Sequence, residues 1–142
     1  GTVLNRFIAQ SLNGHPLTIY GSGGQTRGLI HIDDTAECIK ISVENPAETN
    51  RLRVMNQVSE TKSVKELAYI VKDLLGGTIQ SFENPRKEAD ENRLAVNTEG
   101  LLSLGFKPKL ISNDFLNDIS SLVAKNSRNF DKSKILTSPN WI

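Results

Sequence analysis

The chain has 142 residues, of which 37% are hydrophobic and 23% are charged, the balance of an ordinary globular protein. Seventeen basic and sixteen acidic side chains leave a net charge of +1, so we expect no nucleic acid as a partner. No apolar run approaches the roughly 18 residues of a membrane span, so we expect no membrane partner either. Cys38 is the one cysteine, which excludes an intrachain disulfide and a cysteine-based zinc cluster; we expect it to be buried on a helix.

The first half of the chain alternates helix and strand patterns. Apolar residues at helical spacing predict a helix over 3–12, with Thr2 as its N-cap. Strand patterns at 17–20 and 29–32 flank a glycine-rich connection. Asp33 or Asp34 is expected to cap the next helix, which ends at Asn45-Pro46, and a strand is expected at 52–56.

The second half begins with the strongest helix signal. Ser63 and Glu66 form a capping box, and a wide apolar stripe follows up to Gly76. A strand is predicted at 78–82, a polar loop at 83–93, a short helix at 98–104 and a last helix beginning near Ser112. Helices and strands are mixed along the chain, and the chain is about half as long as a doubly wound nucleotide-binding enzyme. The sequence therefore indicates part of an α/β protein.

The glycine-rich connection "IYGSGGQTRGLIHIDD", residues 19–34, raises the question of an anion site. It fails as a dinucleotide fingerprint because Thr26 stands at the third glycine position and a strand pattern, not a helix, follows. It fails as a P-loop because Leu29 and Ile30 replace the lysine and the hydroxyl residue. A plain glycine-rich link between strands stays open.

Arginine side chains favour an anion site over a plain link. Arg27 lies among small residues that allow a ligand to come close, and its guanidinium suits phosphate. Arg86 and Glu88 follow in the polar loop. Two guanidinium groups and a carboxylate can converge on a diphosphate and a ribose hydroxyl pair.

The segment "YGSGGQTRGLIHIDDTAECI" resembles the extended short-chain dehydrogenase/reductase family, in which Y-G-x-G-x-Q-x-R precedes a strand and a helix start. This family includes NAD-dependent nucleotide-sugar epimerases and dehydratases. The segments "RVMNQVSE", "SVKELA" and "NPRKEADE" narrow the resemblance to members that make a sulfonated nucleotide sugar for sulfolipid biosynthesis. The resemblance implies an α/β fold that is the C-terminal substrate-binding portion of such an enzyme, lacking most of the Rossmann sheet.

The resemblance also implies domain limits and site residues. Residues 1–126 would form the nucleotide-sugar-binding C-terminal portion and 127–142 a C-terminal tail. Arg27 and Arg86 would contact the nucleotide diphosphate and Glu88 the ribose. Gln25 and Thr26 would line the same pocket. His31 is expected to pack or to form hydrogen bonds.

Two departures from the family pattern bear on activity. No Y-x-x-x-K pair occurs, since Gly24 follows Tyr20 and Asp73 follows Tyr69 at the lysine position. The cofactor fingerprint is missing too. NAD is therefore expected in the full-length parent, bound by an N-terminal portion upstream of residue 1, and neither a cofactor nor a catalytic residue is expected in this chain.

The expected partners are a UDP-sugar, the N-terminal NAD-binding portion and a second copy of the chain. The expected location is the cytoplasm, or the plastid stroma of a photosynthetic eukaryote. Two alternatives stay open. One is a non-catalytic structural or interaction module that descends from the family, and the other is a fragment of a UDP-glucose 4-epimerase.

Overall fold

A computed structural model describes residues 2–84, 92–111 and 113–126, without the side chains of residues 113–115. The chain divides into two compact units. The first contains the described parts of 1–25, 63–92 and 111–142, and the second contains 26–62 and 93–110. The elements are α1 (Val3–Leu12), β1 (Leu17–Tyr20), β2 (Thr26–Leu29), α2 (Ile32–Glu44), β3 (Glu60–Ser63), α3 (Val64–Leu75), β4 (Ile79–Phe82), α4 (Glu99–Leu102) and α5 (Asn113–Lys125). The α/β class predicted from the sequence is confirmed.

In the first unit, helices α1, α3 and α5 pack with a two-stranded parallel sheet of β1 and β4. The strands are in register from Leu17 opposite Ile79 to Tyr20 opposite Phe82, so their carboxyl ends lie side by side. Among the described residues of this unit, the fully buried apolar side chains are Phe7, Ile8, Leu17, Leu67, Ala68, Val71 and Leu116. Burying each of these side chains other than Ala68 contributes about 1.5–3 kcal/mol.

Helix α3 starts as its sequence predicts. The Ser63 hydroxyl accepts a hydrogen bond from the Glu66 N–H at 3.1 Å, and the Glu66 carboxylate accepts one from the Ser63 N–H at 2.7 Å. This reciprocal pair satisfies donors at the helix start that would otherwise lack an acceptor.

A buried polar pair joins α1 to β1. The Gln10 side-chain amide donates to the Thr18 hydroxyl at 3.0 Å and accepts from the Thr18 N–H at 3.2 Å. Neither residue is exposed to solvent. Because buried polar groups are costly when unpaired, this exchange fixes the position of β1 against α1.

In the second unit, β2 and β3 form a two-stranded sheet, and α2 follows β2 along the chain. The core of this unit consists of Cys38, Ile41, Leu101 and Phe106, with Ile30, Met55 and Leu104 against it. The prediction of a buried Cys38 is confirmed, and burial raises the pKa of its thiol.

The start of α2 differs from the prediction. The strand expected at 29–32 ends at Leu29, and the helix begins at Ile32. His31, not Asp33 or Asp34, is the N-cap, and its Nδ1 accepts the Asp33 N–H at 3.1 Å. The hydrogen-bonding role expected for His31 is thereby confirmed. Both aspartates lie in the first helical turn, where carboxylates interact favourably with the helix dipole.

The prediction of a strand at 52–56 is wrong. Residues 51–58 carry no regular secondary structure, and Leu52 is 90% and Val54 79% exposed. A strand requires a hydrogen-bonded neighbour as well as a suitable pattern, and within the described residues this segment pairs with no strand. Strand β3 (Glu60–Ser63) was missed because its residues are mostly polar. Within 2–84, 92–111 and 113–126, none of the helices has the length and apolarity needed to cross a membrane.

Candidate functional site

The glycine-rich connection is held tightly against the start of α3. Gly21 and Gly23 have φ angles of 69° and 72°, which favour glycine. A Cβ on Gly23 would lie 2.8 Å from Ile19 Cγ2 and 3.2 Å from Lys65 Cβ. The Gly23 carbonyl accepts the Lys65 N–H at 2.9 Å. Glycine at position 23 is therefore required both by its φ angle and by packing.

This geometry does not fit the pyrophosphate of NAD. A dinucleotide loop leads into a helix whose N-terminus faces the phosphates. Here the connection leads into β2 at Thr26, and the space beside Gly23 is occupied by Ile19 and Lys65.

Gln25 closes the connection within the first unit. Its side-chain amide donates to the Tyr20 carbonyl at 3.3 Å, and its own carbonyl accepts the Val64 N–H at 3.0 Å. The residue thus bridges the end of β1 and the start of α3. A pocket-lining role for Gln25 stays a prediction.

Thr26 belongs to the second unit, where its hydroxyl has a structural partner. Thr26 Oγ1 accepts the Leu94 N–H at 2.5 Å. Two residues on, a Cβ added to Gly28 would meet Val58 Cγ2 at 3.2 Å and Leu94 Cδ2 at 3.3 Å. Thr26 and Gly28 therefore hold the chain around Leu94 against β2. Sequence reasoning missed this role because the contact spans 68 residues and leaves no local signal.

Arg27 lies on β2 with an exposed side chain. Its Nη1 donates to the neighbouring Thr26 carbonyl at 2.9 Å. In the part of the chain that the structure describes, Arg27 joins no ion pair. Its guanidinium charge is therefore accessible to an anion from solvent. Arg86 and Glu88, the other predicted ligand contacts, lie outside the described residues.

A carboxylate cluster at the start of α2 is used for structure. Asp34 is buried, and its Oδ2 accepts both the Ser59 hydroxyl at 2.9 Å and the Lys109 N–H at 2.7 Å. Lys109 Nζ lies 2.8 Å from the exposed Asp33 carboxylate. The hydrogen bond and charge of Lys109 lower the pKa of Asp33, and Asp33 raises the pKa of Lys109. The two aspartates hold the segment around Lys109 against α2.

No group of three or more His, Cys, Asp or Glu side chains in the described ranges is arranged to hold a metal ion.

Comparison with known proteins identifies the family. The profile of the NAD dependent epimerase/dehydratase family matches residues 1–56. The chain is 40% identical to the chloroplastic UDP-sulfoquinovose synthase of Spinacia oleracea, over 99% of this chain and 30% of the relative. It is 44% identical to the UDP-sulfoquinovose synthase of Sulfolobus acidocaldarius, over 77% of this chain and 29% of the relative.

Solved structures agree on the fold. The structure of Pal from Bacillus thuringiensis matches with a TM-score of 0.71 at 25% identity, over 88% of this chain and 40% of that one. The UDP-glucose 4-epimerase of Thermotoga maritima, solved with UDP-glucose, matches with a TM-score of 0.74 at 19% identity, over 89% and 40%. The latter likeness concerns the fold alone.

The chain belongs to the NAD-dependent epimerase/dehydratase family of extended short-chain dehydrogenases/reductases. Within that family it is similar to UDP-sulfoquinovose synthases. It spans about 30% of the length of these curated relatives.

Proposed function

We propose that this chain is the UDP-sugar-binding part of an NAD-dependent enzyme related to UDP-sulfoquinovose synthase. The observation that carries the proposal is the exposed Arg27 guanidinium, hydrogen-bonded to a backbone carbonyl, in a chain 40–44% identical to two such synthases. Arg27 and Arg86 bind the diphosphate, and Glu88 binds the ribose. Gln25 and Thr26 lie at the same ligand.

NAD is held by the remaining part of the longer protein in this proposal. The glycine connection of this chain leads into a strand and is packed against Lys65, so the chain's own contribution is to bind and orient the nucleotide sugar. The proposed location is the cytoplasm, or the plastid stroma for a photosynthetic source, in keeping with the chloroplastic relative.

Isothermal titration of the chain with UDP and UDP-glucose tests the role of Arg27. A charge-assisted hydrogen bond contributes about 1.5–3 kcal/mol, so Arg27→Ala is expected to weaken binding roughly 10- to 100-fold. Arg53→Ala is a matched control, because Arg53 is also an exposed arginine of the second unit that donates to a backbone carbonyl, that of Asn45 at 3.1 Å. The control should change the affinity less than about twofold.

Equal losses in Arg27→Ala and Arg53→Ala would show a general charge effect and contradict the diphosphate contact. Absence of heat with both ligands would contradict nucleotide-sugar binding by this chain. Uridine is the uncharged control ligand and is expected to bind more weakly than UDP. Arg27→Ala should leave the affinity for uridine unchanged, because uridine has no diphosphate.

One observation favours the alternative of an interaction module. The second unit exposes Leu52, Val54 and Val43, the last at 74%, and exposed apolar side chains are a feature of association surfaces. The 4-epimerase alternative gains no such support, since the likeness to the Thermotoga maritima epimerase is one of fold.

A further inference from the structure

Arg6 of α1 carries a charge that has no counter-ion among the residues that the structure describes. Its side chain is partly buried, and its Nη2 donates to the Thr18 carbonyl at 2.9 Å. Arg6 Nε is buried and has no hydrogen-bond acceptor among the described residues. None of the ion pairs in those residues includes Arg6. Burial lowers its pKa from the usual range, with a smaller opposing influence from Tyr20.

Two aromatic rings offset part of the cost of this burial. The guanidinium carbon lies 5.3 Å from the centroid of the Phe7 ring and 5.4 Å from that of the Tyr20 ring, within the range of a cation–π contact. The faces of the Phe7 and Tyr20 rings attract the positive charge of the guanidinium. They provide no hydrogen-bond acceptor for the Arg6 Nε–H group, which donates in the plane of the guanidinium. A guanidinium stays ionised, so an anion is the group that would satisfy both the charge and the donor.

Arg6 lies at the part of the sheet where α/β proteins bind their ligands. Tyr20 is the last residue of β1 and is paired with Phe82, the last residue of β4, and their rings are 5.9 Å apart. The two strands are parallel, so Arg6 lies beside their carboxyl ends. Ligands of α/β sheets bind at the carboxyl ends of parallel strands.

Arg6 is also fixed before any ligand binds. It lies in the middle of α1 and donates to the backbone of Thr18, and Thr18 is itself held by Gln10 through two hydrogen bonds. A guanidinium already ordered loses little conformational entropy when it binds an anion. A flexible surface arginine has no such advantage.

We propose that Arg6 binds an oxyanion of the phosphate class beside the carboxyl ends of β1 and β4. The assignment is separate from that of Arg27, which lies in the other compact unit. It does not depend on the identity of the sugar.

The direct test is nuclear magnetic resonance of the Arg6 Nε–H group in the wild-type chain. A buried Nε–H exchanges slowly enough with water to be observed. Titration with sodium pyrophosphate should move this signal in a saturable way, while sodium chloride at the same ionic strength should not. No movement with pyrophosphate, or the same movement with chloride, would overturn the proposal without any need for a variant.

Variants then test the contribution to affinity. Arg6→Met keeps the apolar stem between Phe7 and Tyr20 and should weaken pyrophosphate binding at least about tenfold. Arg6→Lys keeps the charge but loses the fork, so an intermediate loss is expected. Unchanged affinity in folded Arg6→Met would overturn the assignment.

Two further arms identify the source of the anion and separate this proposal from the previous one. If UDP moves the Arg6 signal at a lower concentration than pyrophosphate does, the oxyanion belongs to a nucleotide. If pyrophosphate acts at the lower concentration, the ligand is a free anion. Both results support the contact with Arg6. In Arg27→Ala the pyrophosphate response of Arg6 should persist. Its loss there would mean that the anion belongs to Arg27 and would overturn a separate site.

Discussion

At the scale of the single residue, Gly23 shows that a glycine beside an arginine can serve packing and not ligand binding. Glycines around an arginine suggest room for a ligand, yet the space at Gly23 is taken up by Ile19 and Lys65. The neighbouring Arg27 is exposed. Sequence can name both residues, but it cannot tell which one faces solvent, because that depends on a helix that begins about 40 residues later.

Gly23→Ala should therefore destabilise the first unit more than Gly14→Ala. Both residues have a φ angle of +72°, and nothing lies within 4 Å of a Cβ at Gly14. Each variant loses about 1–2 kcal/mol from the left-handed backbone, and Gly23→Ala loses about 1–3 kcal/mol more from overpacking. Urea unfolding followed by circular dichroism measures the difference. Equal losses would show that Ile19 and Lys65 move aside freely.

The Asp33–Lys109 pair predicts a pH dependence at both ends of the scale. Asp33 has a lowered pKa, so its stabilising contribution is present above the ordinary aspartate pKa and is lost as the pH falls through the lowered value. Lys109 has a raised pKa, so its contribution is present below the ordinary lysine pKa and is lost as the pH rises through the raised value. Both side chains are exposed, so the contribution is small.

Lys109→Met should return the Asp33 pKa towards its usual range, as measured by carbon-13 titration of the carboxyl group. His31 Nδ1, 3.5 Å from Asp33, remains in place in the variant. Lys107→Met is the control, because Lys107 is exposed and joins no ion pair in the described part of the chain. An unchanged Asp33 titration in Lys109→Met would contradict the pairing.

At the scale of the elements, two helix starts that the sequence predicts differ in their caps. The Ser63–Glu66 box forms both of its hydrogen bonds, whereas Thr98 before α4 makes no side-chain capping bond. Ser63→Ala should cost about 1 kcal/mol and Thr98→Ala less than about 0.5 kcal/mol. Hydrogen exchange of amides in the first turns of α3 and α4 compares the two. A larger effect at Thr98 would be contrary to the observed caps.

The elements predicted correctly are those whose signals are local. Helices α1 and α3 have a regular apolar period and end at Asn13 and Gly76. Strand β1 contains β-branched and aromatic residues and ends before Gly21, so the residues of each element determine it. The segment 52–56 has an equally good strand pattern but pairs with no strand in the described residues. Strand β3 shows the converse, because polar residues became a strand through pairing with β2.

The same distinction applies to the candidate site. Arg27 was predicted from its residue type and its resemblance to the family, and the structure describes it as exposed. The bond from Leu94 to Thr26 and the burial of Arg6 Nε against β1 arise from packing between distant segments. Neither leaves a sequence pattern. Residue chemistry and local partners such as Ser63 and Glu66 can be read from the sequence, whereas partners that lie far apart along the chain cannot.

At the scale of the whole molecule, the exposed apolar residues of the second unit predict self-association. Leu52 and Val54 are 90% and 79% exposed on a segment without regular secondary structure. Removing such side chains from water contributes about 25 cal/mol per Å², and exposed apolar side chains can contact another chain. A second copy of this chain supplies the same segment, so the contact can be symmetric.

Leu52→Lys with Val54→Lys should therefore lower the concentration dependence of light scattering. Lysine removes the apolar contact and places like charges opposite each other in a symmetric pair. The double variant Thr49→Lys with Thr61→Lys adds the same charge at exposed polar positions and controls for net repulsion. If both variants scatter alike and less than the wild type, net charge explains the change and the segment is not the contact. If only the first variant becomes monodisperse, Leu52 and Val54 are the residues that bring the copies together.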